Sequence, residues 1–279
     1  MSVPVPALRL RPMTLMDVLD ESFRLYRANF PLLAGISIGL AIPGVTLSLL
    51  SGGATSAASF YASALTRGGP PSPTGAFNLV IAILSYPVQL ALVPFQAGTL
   101  FAAAFAIVLG LQPGFRQALR AVISRYWALW ALSLLYGVTS IALLCPPLGV
   151  WLLTRLVLAV PALFTEQAPL GRAVERSWAL TDRAFWRTFA VVFFTALMGY
   201  ALQTSLAGVF VAAAGVFPGL PVEVRLLLII SVASLMTQLV EPLLALAVTL
   251  IYFDARVRRE AFDLEMTAYQ LAQRPEPQP

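Results

Sequence analysis

The chain has no histidine and no lysine, its one cysteine is Cys145, and only 11% of its 279 residues are charged. Each shortage closes a class of function. Without histidine there is no HExxH zinc helix and no His-dependent phosphodiesterase chemistry. One cysteine builds neither a disulfide framework nor a CxxC metal site within one chain, and beside "PPLG" in an apolar run it is expected to be a free, buried thiol. No P-loop occurs, which removes an ATP-driven motor. Soluble domains carry roughly 25% charged residues. Less than half of that, with 59% hydrophobic residues and a mean hydropathy of +0.82, makes lipid the main solvent of this chain, since a soluble bundle keeps polar outer faces.

What charge there is follows a pattern. All 18 cations are arginines, and the net charge is +5. Basic here does not mean nucleic-acid binding, because the arginines flank apolar runs, as anionic headgroups and the positive-inside rule require. Six spans are predicted, at roughly 31–50, 76–110, 127–146, 147–166, 187–215 and 223–253, each near or above the ~20 residues that cross a bilayer. The second and sixth exceed one crossing and must tilt, bend or project, with kinks expected at Pro87, Pro94 and Pro242. "CPPLG" leaves only a tight turn between the third and fourth. The stretch 51–75, rich in glycine, proline and small residues, reads as an outer loop with a short helix around 54–67. The last residues, "AQRPEPQP", read as a disordered tail.

With both termini inside, the cytoplasmic side receives Arg9, Arg11, Arg24, Arg27, Arg116, Arg120, Arg125, Arg172, Arg176, Arg183, Arg187, Arg256, Arg258, Arg259 and Arg274, and the outside keeps Arg67 and Arg225. That asymmetry predicts a multi-pass protein of the cell inner membrane with cytoplasmic ends. The N-terminus reaches its first apolar run only near Phe30, too late for a cleaved signal peptide.

Three short stretches look like soluble helices. "TLMDVLDESFRLYRANF" opens on a Thr14-x-x-Asp17 capping box, carries Leu15, Val18, Leu19, Phe23 and Tyr26 on one side and offers an Asp20–Arg24 pair. "QPGFRQALRAVISRYW" sets Phe115, Ala118, Leu119, Val122, Ile123 and Tyr126 against Arg116, Gln117, Arg120 and Ser124. "APLGRAVERSWALTDRAFWRTF" places Leu170, Ala173, Val174, Ser177, Trp178 and Thr181 at helical spacing, with Thr181 or Asp182 as cap of the next helix. All three are predicted to be amphipathic helices on the cytoplasmic membrane surface. Each precedes an inside-to-outside span, so the unit of surface helix plus hairpin occurs three times; ancient repetition and convergence on interface chemistry both account for it.

Few residues remain for chemistry. "GISIG" matches GxSxG, but it lies in a span and no histidine exists to serve it as base; Gly35 and Gly39 are expected to allow close helix approach instead. Arg155 and Glu241 fall at similar distances from the cytoplasmic ends of their helices, about 16 and 20 Å at 1.5 Å per residue. Buried charges in hydrocarbon need partners, so an Arg155–Glu241 pair or a wet cavity is predicted. Ser231, Ser234, Gln238 and Glu241 share a face of the last span, Thr195, Gly199 and Gln203 one of the fifth, and Gln89 and Gln96 sit seven apart in the second. Together they suggest a polar seam. It either joins helices, or holds a lipid headgroup or other anion on Arg155 with Glu241, Gln238, Gln203 and Gln89 around it, or forms an ion path. Asp254, Arg256, Arg258 and Arg259 either anchor the last helix at the interface or dock a partner or headgroup, as do Arg172, Arg176 and Trp178.

The motifs "LVLAVPALFTEQAPLGRAVERSWALTDRAFWR" and "VTLIYFDARVRRE" resemble the membrane-domain family attached to some glycerophosphoryl diester phosphodiesterases, also found as stand-alone multi-span proteins. The resemblance runs from about residue 10 to 265 and rests on Pro161, Ala173, Ser177, Trp178, Leu180, Thr181, Phe185, Trp186, Tyr252, Asp254, Arg256 and Arg258; where the last motif usually has two tyrosines, this chain has Tyr252 and Phe253. It implies a membrane module that anchors, assists or presents lipid to a partner, since the family's catalytic barrel has no counterpart here.

The sequence therefore predicts an all-α protein: residues 1–30 a cytoplasmic segment with a surface helix, 31–254 a six-span membrane domain, 255–279 a cytoplasmic helix end and tail. It is expected to have no catalytic activity and no cofactor or metal, to act as an accessory or scaffold, and to meet membrane lipids and a membrane or cytoplasmic protein. A transporter, or an intramembrane lipid-processing enzyme using Glu241 or Asp254, are the alternatives.

Overall fold

The computed structural model describes residues 13–50, 73–111, 114–166, 169–182, 184–215 and 222–260. These form ten α-helices and, among the described residues, no strand: α1 (Leu15–Ala28), α2 (Phe30–Leu50), α3 (Pro73–Val108), α4 (Phe115–Ile123), α5 (Tyr126–Ile141), α6 (Pro146–Leu156), α7 (Ala159–Thr165), α8 (Leu170–Thr181), α9 (Phe185–Gly215) and α10 (Val222–Glu260). Helix is the expected answer in lipid, where every backbone polar group must be satisfied internally. Five stretches, Leu90–Val108, Tyr126–Leu144, Pro146–Thr165, Phe185–Ser205 and Leu235–Arg259, are long and apolar enough to cross a membrane, and the bent pair α1–α2 brings the number to six. The outward faces support the same reading: Trp127 is 76% exposed, Trp186 77% and Leu144 89%, which water would penalise and acyl chains do not. The chain is a multi-pass membrane bundle. The predicted outer loop, Arg67 and the tail lie outside the described residues.

α10 is the axis of the core. Its residues Leu246, Leu250, Ile251, Tyr252 and Phe253 are buried and pack with Ala103 and Ala104 of α3, Ala159, Ala162 and Leu163 of α7 and Val191 of α9. α1 starts on the predicted capping box, with Thr14 N donating to Asp17 Oδ2 at 2.8 Å and Asp17 N to Thr14 Oγ1 at 3.2 Å. It turns by 81° into α2 at Asn29, whose side chain donates to Leu25 O. Arg24 pairs with Glu21 rather than with Asp20, since i,i+3 neighbours on a helix are as close as i,i+4 ones.

The short helices turn their apolar sides onto the bundle. α1 buries Val18, Leu19, Ser22 and Leu25, α4 buries Ala118 and Val122, and α8 buries Ala173, Ser177, Leu180 and Thr181. Two bonds at its ends, Met13 to Asp254 and Tyr26 to Leu239, lay α1 antiparallel along α10. Thr181 donates back to Ser177 O within α8 and Asp182 pairs with Arg155, so neither takes the capping role expected for α9.

Three prolines inside the long helices share one arrangement. A proline removes an N–H and forces its helix open. In three places the carbonyl three residues before the proline accepts a bond from another helix: Leu40 before Pro43 from Gln96 Nε2 at 3.2 Å, Ala91 before Pro94 from Tyr126 Oη at 3.1 Å, and Leu239 before Pro242 from Tyr26 Oη at 2.6 Å. The break between α6 and α7 is treated alike. Ser177 Oγ donates to Arg155 O at 2.6 Å, and Tyr136 Oη to Leu156 O at 2.7 Å. Neighbouring helices thus restore what hydrocarbon cannot supply.

Two expectations need correction. A Cβ added at Gly35 or Gly39 would meet nothing within 4 Å, so this GxxxG pair is not a helix contact. Close approach occurs instead at Gly98, where a Cβ would stand 2.8 Å from Leu129 Cδ1, and at Gly199 against Val240. Cys145 is exposed, not buried, because it ends the turn Ala142–Leu144 that joins α5 to α6. Gly149, in the first turn of α6, is needed where that helix packs on the turn: a Cβ there would fall 2.6 Å from Leu143 N.

Candidate functional site

Three clusters of charged side chains form one polar layer, where the ends of α6, α7, α8 and α10 meet the start of α9 and Met13, two residues before α1. Its centre is Asp254. The α10 helix places Asp254 and Arg258 one turn apart, and Arg258 Nε donates to both carboxylate oxygens at 3.2 and 3.1 Å. Arg187, in the first turn of α9, reaches Asp254 Oδ2 at 2.9 Å, and Met13 N donates to Oδ1 at 2.7 Å. Both arginines also hold Met13 O. The Asp254 side chain is only 2% exposed, a burial that two cations and an amide offset.

A second cluster lies on the other side of α10. Tyr252 Oη stands 2.6 Å from Thr165 Oγ1 and donates to Glu166 Oε1 at 3.0 Å, while Arg176 Nε donates to the same carboxylate oxygen at 2.6 Å. Helices α7, α8 and α10 are tied at one point.

The third is built on Arg155. Its guanidinium pairs with Asp182 at 3.0 Å and lies 5.6, 5.7 and 6.0 Å from the ring centroids of Trp151, Trp178 and Phe185. Trp151 and Trp178 meet edge to face at 5.3 Å. Arg155 donates to Trp178 O at 3.3 Å and Arg259 to Ala179 O, so two cations cover the last carbonyls of α8, the negative end of its dipole.

This geometry corrects the predicted Arg155–Glu241 pair. Arg155 shares the α8 terminus with Arg259, which lies eighteen residues beyond Glu241, about 27 Å along α10 at 1.5 Å per residue. Similar distance from two helix ends did not mean similar height: Arg155 sits at the end of α6, before the break into α7, where it meets the end of α8, whereas Glu241 lies well before the end of α10. Arg155 is therefore not part of the seam. Of the other predicted members, Gln203 Nε2 donates to Thr237 Oγ1 at 2.6 Å, joining α9 to α10, and Thr195 Oγ1 donates to Val191 O within α9. Gln238 Oε1 is buried without a partner, as are the hydroxyls of Ser37 and Thr99. Glu241 is partly buried on α10. The side chains of Gln89, Ser231 and Ser234 lie outside the described ones.

Among the predicted interface residues, Arg172 and Trp178 are exposed, Arg176 and Arg256 half-buried, and Asp254 and Arg258 joined as above. Sequence reasoning missed Arg187, Glu166, Asp182 and Arg125, whose Nη1 donates to Leu163 O at 2.7 Å. Their partners sit on other elements, so no periodicity could reveal them. Among the described residues no group of three or more His, Cys, Asp or Glu side chains is placed to hold a metal ion.

Residues 134–262 match the family model described as the membrane domain of glycerophosphoryl diester phosphodiesterase. The stretch holds the motif residues named from the sequence between Pro161 and Arg258, and the resemblance is confirmed there; α1 lies outside it. No curated protein and no solved structure matches the chain.

Proposed function

Taking the membrane-domain match over residues 134–262 as its basis, we infer that the chain is a non-catalytic inner-membrane module, an accessory or scaffold whose polar layer faces the cytoplasm. One observation carries this reading: the motif side chains are spent on each other. Asp254 is held by Arg187 and Arg258, Tyr252 by Thr165 and Glu166, and Ser177 by the Arg155 carbonyl. A catalytic or transport residue needs a vacant, reachable polar atom; these bind helices together. The arginine bias supports the cytoplasmic orientation. Against a transport route stands the use of Gln203, Gln96 and Tyr26 as bonds between helices.

Two measurements on the whole chain test the reading. An impermeant maleimide applied to right-side-out vesicles should label Cys145 but not Arg172→Cys in a Cys145→Ser background; the reverse pattern inverts the orientation. In nanodiscs, the purified protein should release no glycerol phosphate from glycerophosphodiesters and no product from phospholipids. Turnover abolished by Glu241→Gln or Asp254→Asn in a folded variant would establish the enzyme alternative instead.

A further inference from the structure

The strongest feature outside the polar layer is a cavity of about 320 Å³ between α3, α4 and α7, walled by Phe105, Ala106, Gln117, Ala118, Ala121 and Phe164 among others. Its volume is at the lower end of the roughly 300–1,000 Å³ typical of small-molecule sites. Three properties narrow the occupant. The walls are apolar apart from Gln117. Leu111 and Phe115, at the turn into α4, are 56% and 44% exposed, which gives the neighbourhood an apolar rim suited to hydrocarbon. Arg120 lies one helical turn from Gln117, and Arg116 a turn before Arg120. Both arginines are exposed, and neither has a hydrogen-bond or ion-pair partner among the described residues. The three clusters of the polar layer instead balance their arginines against Asp254, Glu166 and Asp182.

We propose that this cavity takes one acyl chain of an anionic phospholipid from the surrounding bilayer, with the headgroup phosphate on Arg120 and Gln117. The chain fills an apolar-walled space, and the phosphate meets a cation that has no carboxylate partner among the described residues. A zwitterionic lipid offers the same chain but no net charge. Small residues at Ala106, Ala118 and Ala121 keep the space open. The site is independent of the scaffold reading, because none of its residues belongs to the polar layer.

The test uses the whole protein in phosphatidylcholine nanodiscs doped with phosphatidylglycerol bearing a photoreactive acyl chain, followed by peptide mapping. Label is expected on the peptides holding Ala102–Ala106, Gln117–Ala121 or Phe164. Arg120→Gln, an exposed change that leaves the fold intact, should reduce labelling about fivefold, the loss of one cationic contact near an anionic headgroup. Ala121→Phe, checked for unchanged melting, should abolish it by occupying the space. A matched phosphatidylcholine probe should label these peptides weakly. Label on other peptides only, equal labelling by the two lipids, or undiminished labelling in both variants overturns the proposal.

Discussion

The backbone amide of Met13 donates to the carboxylate of Asp254 across 2.7 Å, joining positions separated by 241 residues of chain. Arg187 and Arg258 close the arrangement by binding both the carboxylate and Met13 O. One carboxylate therefore fastens three elements: the approach to α1, the start of α9 and the end of α10.

Replacing Asp254 by alanine leaves two arginines without their shared acceptor. A fully buried pair costs about 3–5 kcal/mol when one partner is removed; with Arg187 and Arg258 partly exposed, screening lowers the expected loss to about 2–3 kcal/mol. Unfolding in detergent should show it, and hydrogen exchange over residues 13–20 should accelerate. Unchanged exchange there would mean that α1 is held by its apolar face alone.

Arg155 should be coupled to Asp182 and not to Glu241. A double-mutant cycle on Arg155 and Asp182 is expected to give about 0.5 kcal/mol, modest because Asp182 is 67% exposed, whereas the Arg155 and Glu241 cycle should stay within ~0.3 kcal/mol. Coupling in the second cycle would restore the paired seam.

Tyr126→Phe removes the bond to the Ala91 carbonyl, three residues before Pro94. A loss of about 0.6 kcal/mol is expected, the mean for interhelical hydrogen bonds in membranes. In a Pro94→Ala background the helix can close on itself, so the same change should cost less. Equal cost in both backgrounds would argue that the proline and the tyrosine are unrelated.

Glycines separate by position. Gly199→Ala pushes a methyl into Val240 and should lower the melting temperature in detergent. Gly35→Ala and Gly39→Ala meet open space and should be neutral or stabilising, by roughly 0.5–1 kcal/mol from helix propensity. Destabilisation at Gly35 or Gly39 would point to a contact made in the membrane by another molecule.

Much of the architecture was legible because lipid simplifies the code. An apolar run such as Phe185–Ser205 has one solution, a helix, and Thr14-x-x-Asp17 announces where one begins. The one-sided spacing of Ala173, Ser177 and Thr181 correctly marked a buried face, though that face lies on protein. The candidate site was read less well. Arg155 and Glu241 were paired by counting along two helices, and counting along separate helices carries no information about their offset.

Composition and hydrophobic run length by themselves determined a helical, multi-span membrane bundle, because those properties act locally and each span answers to the bilayer alone. Which carboxylate meets which arginine, which carbonyl a tyrosine reaches and which glycine lies against a neighbour were decided only by tertiary packing. Those contacts depend on the relative height and rotation of helices, and ångström-scale shifts that no single segment encodes exchange one partner for another.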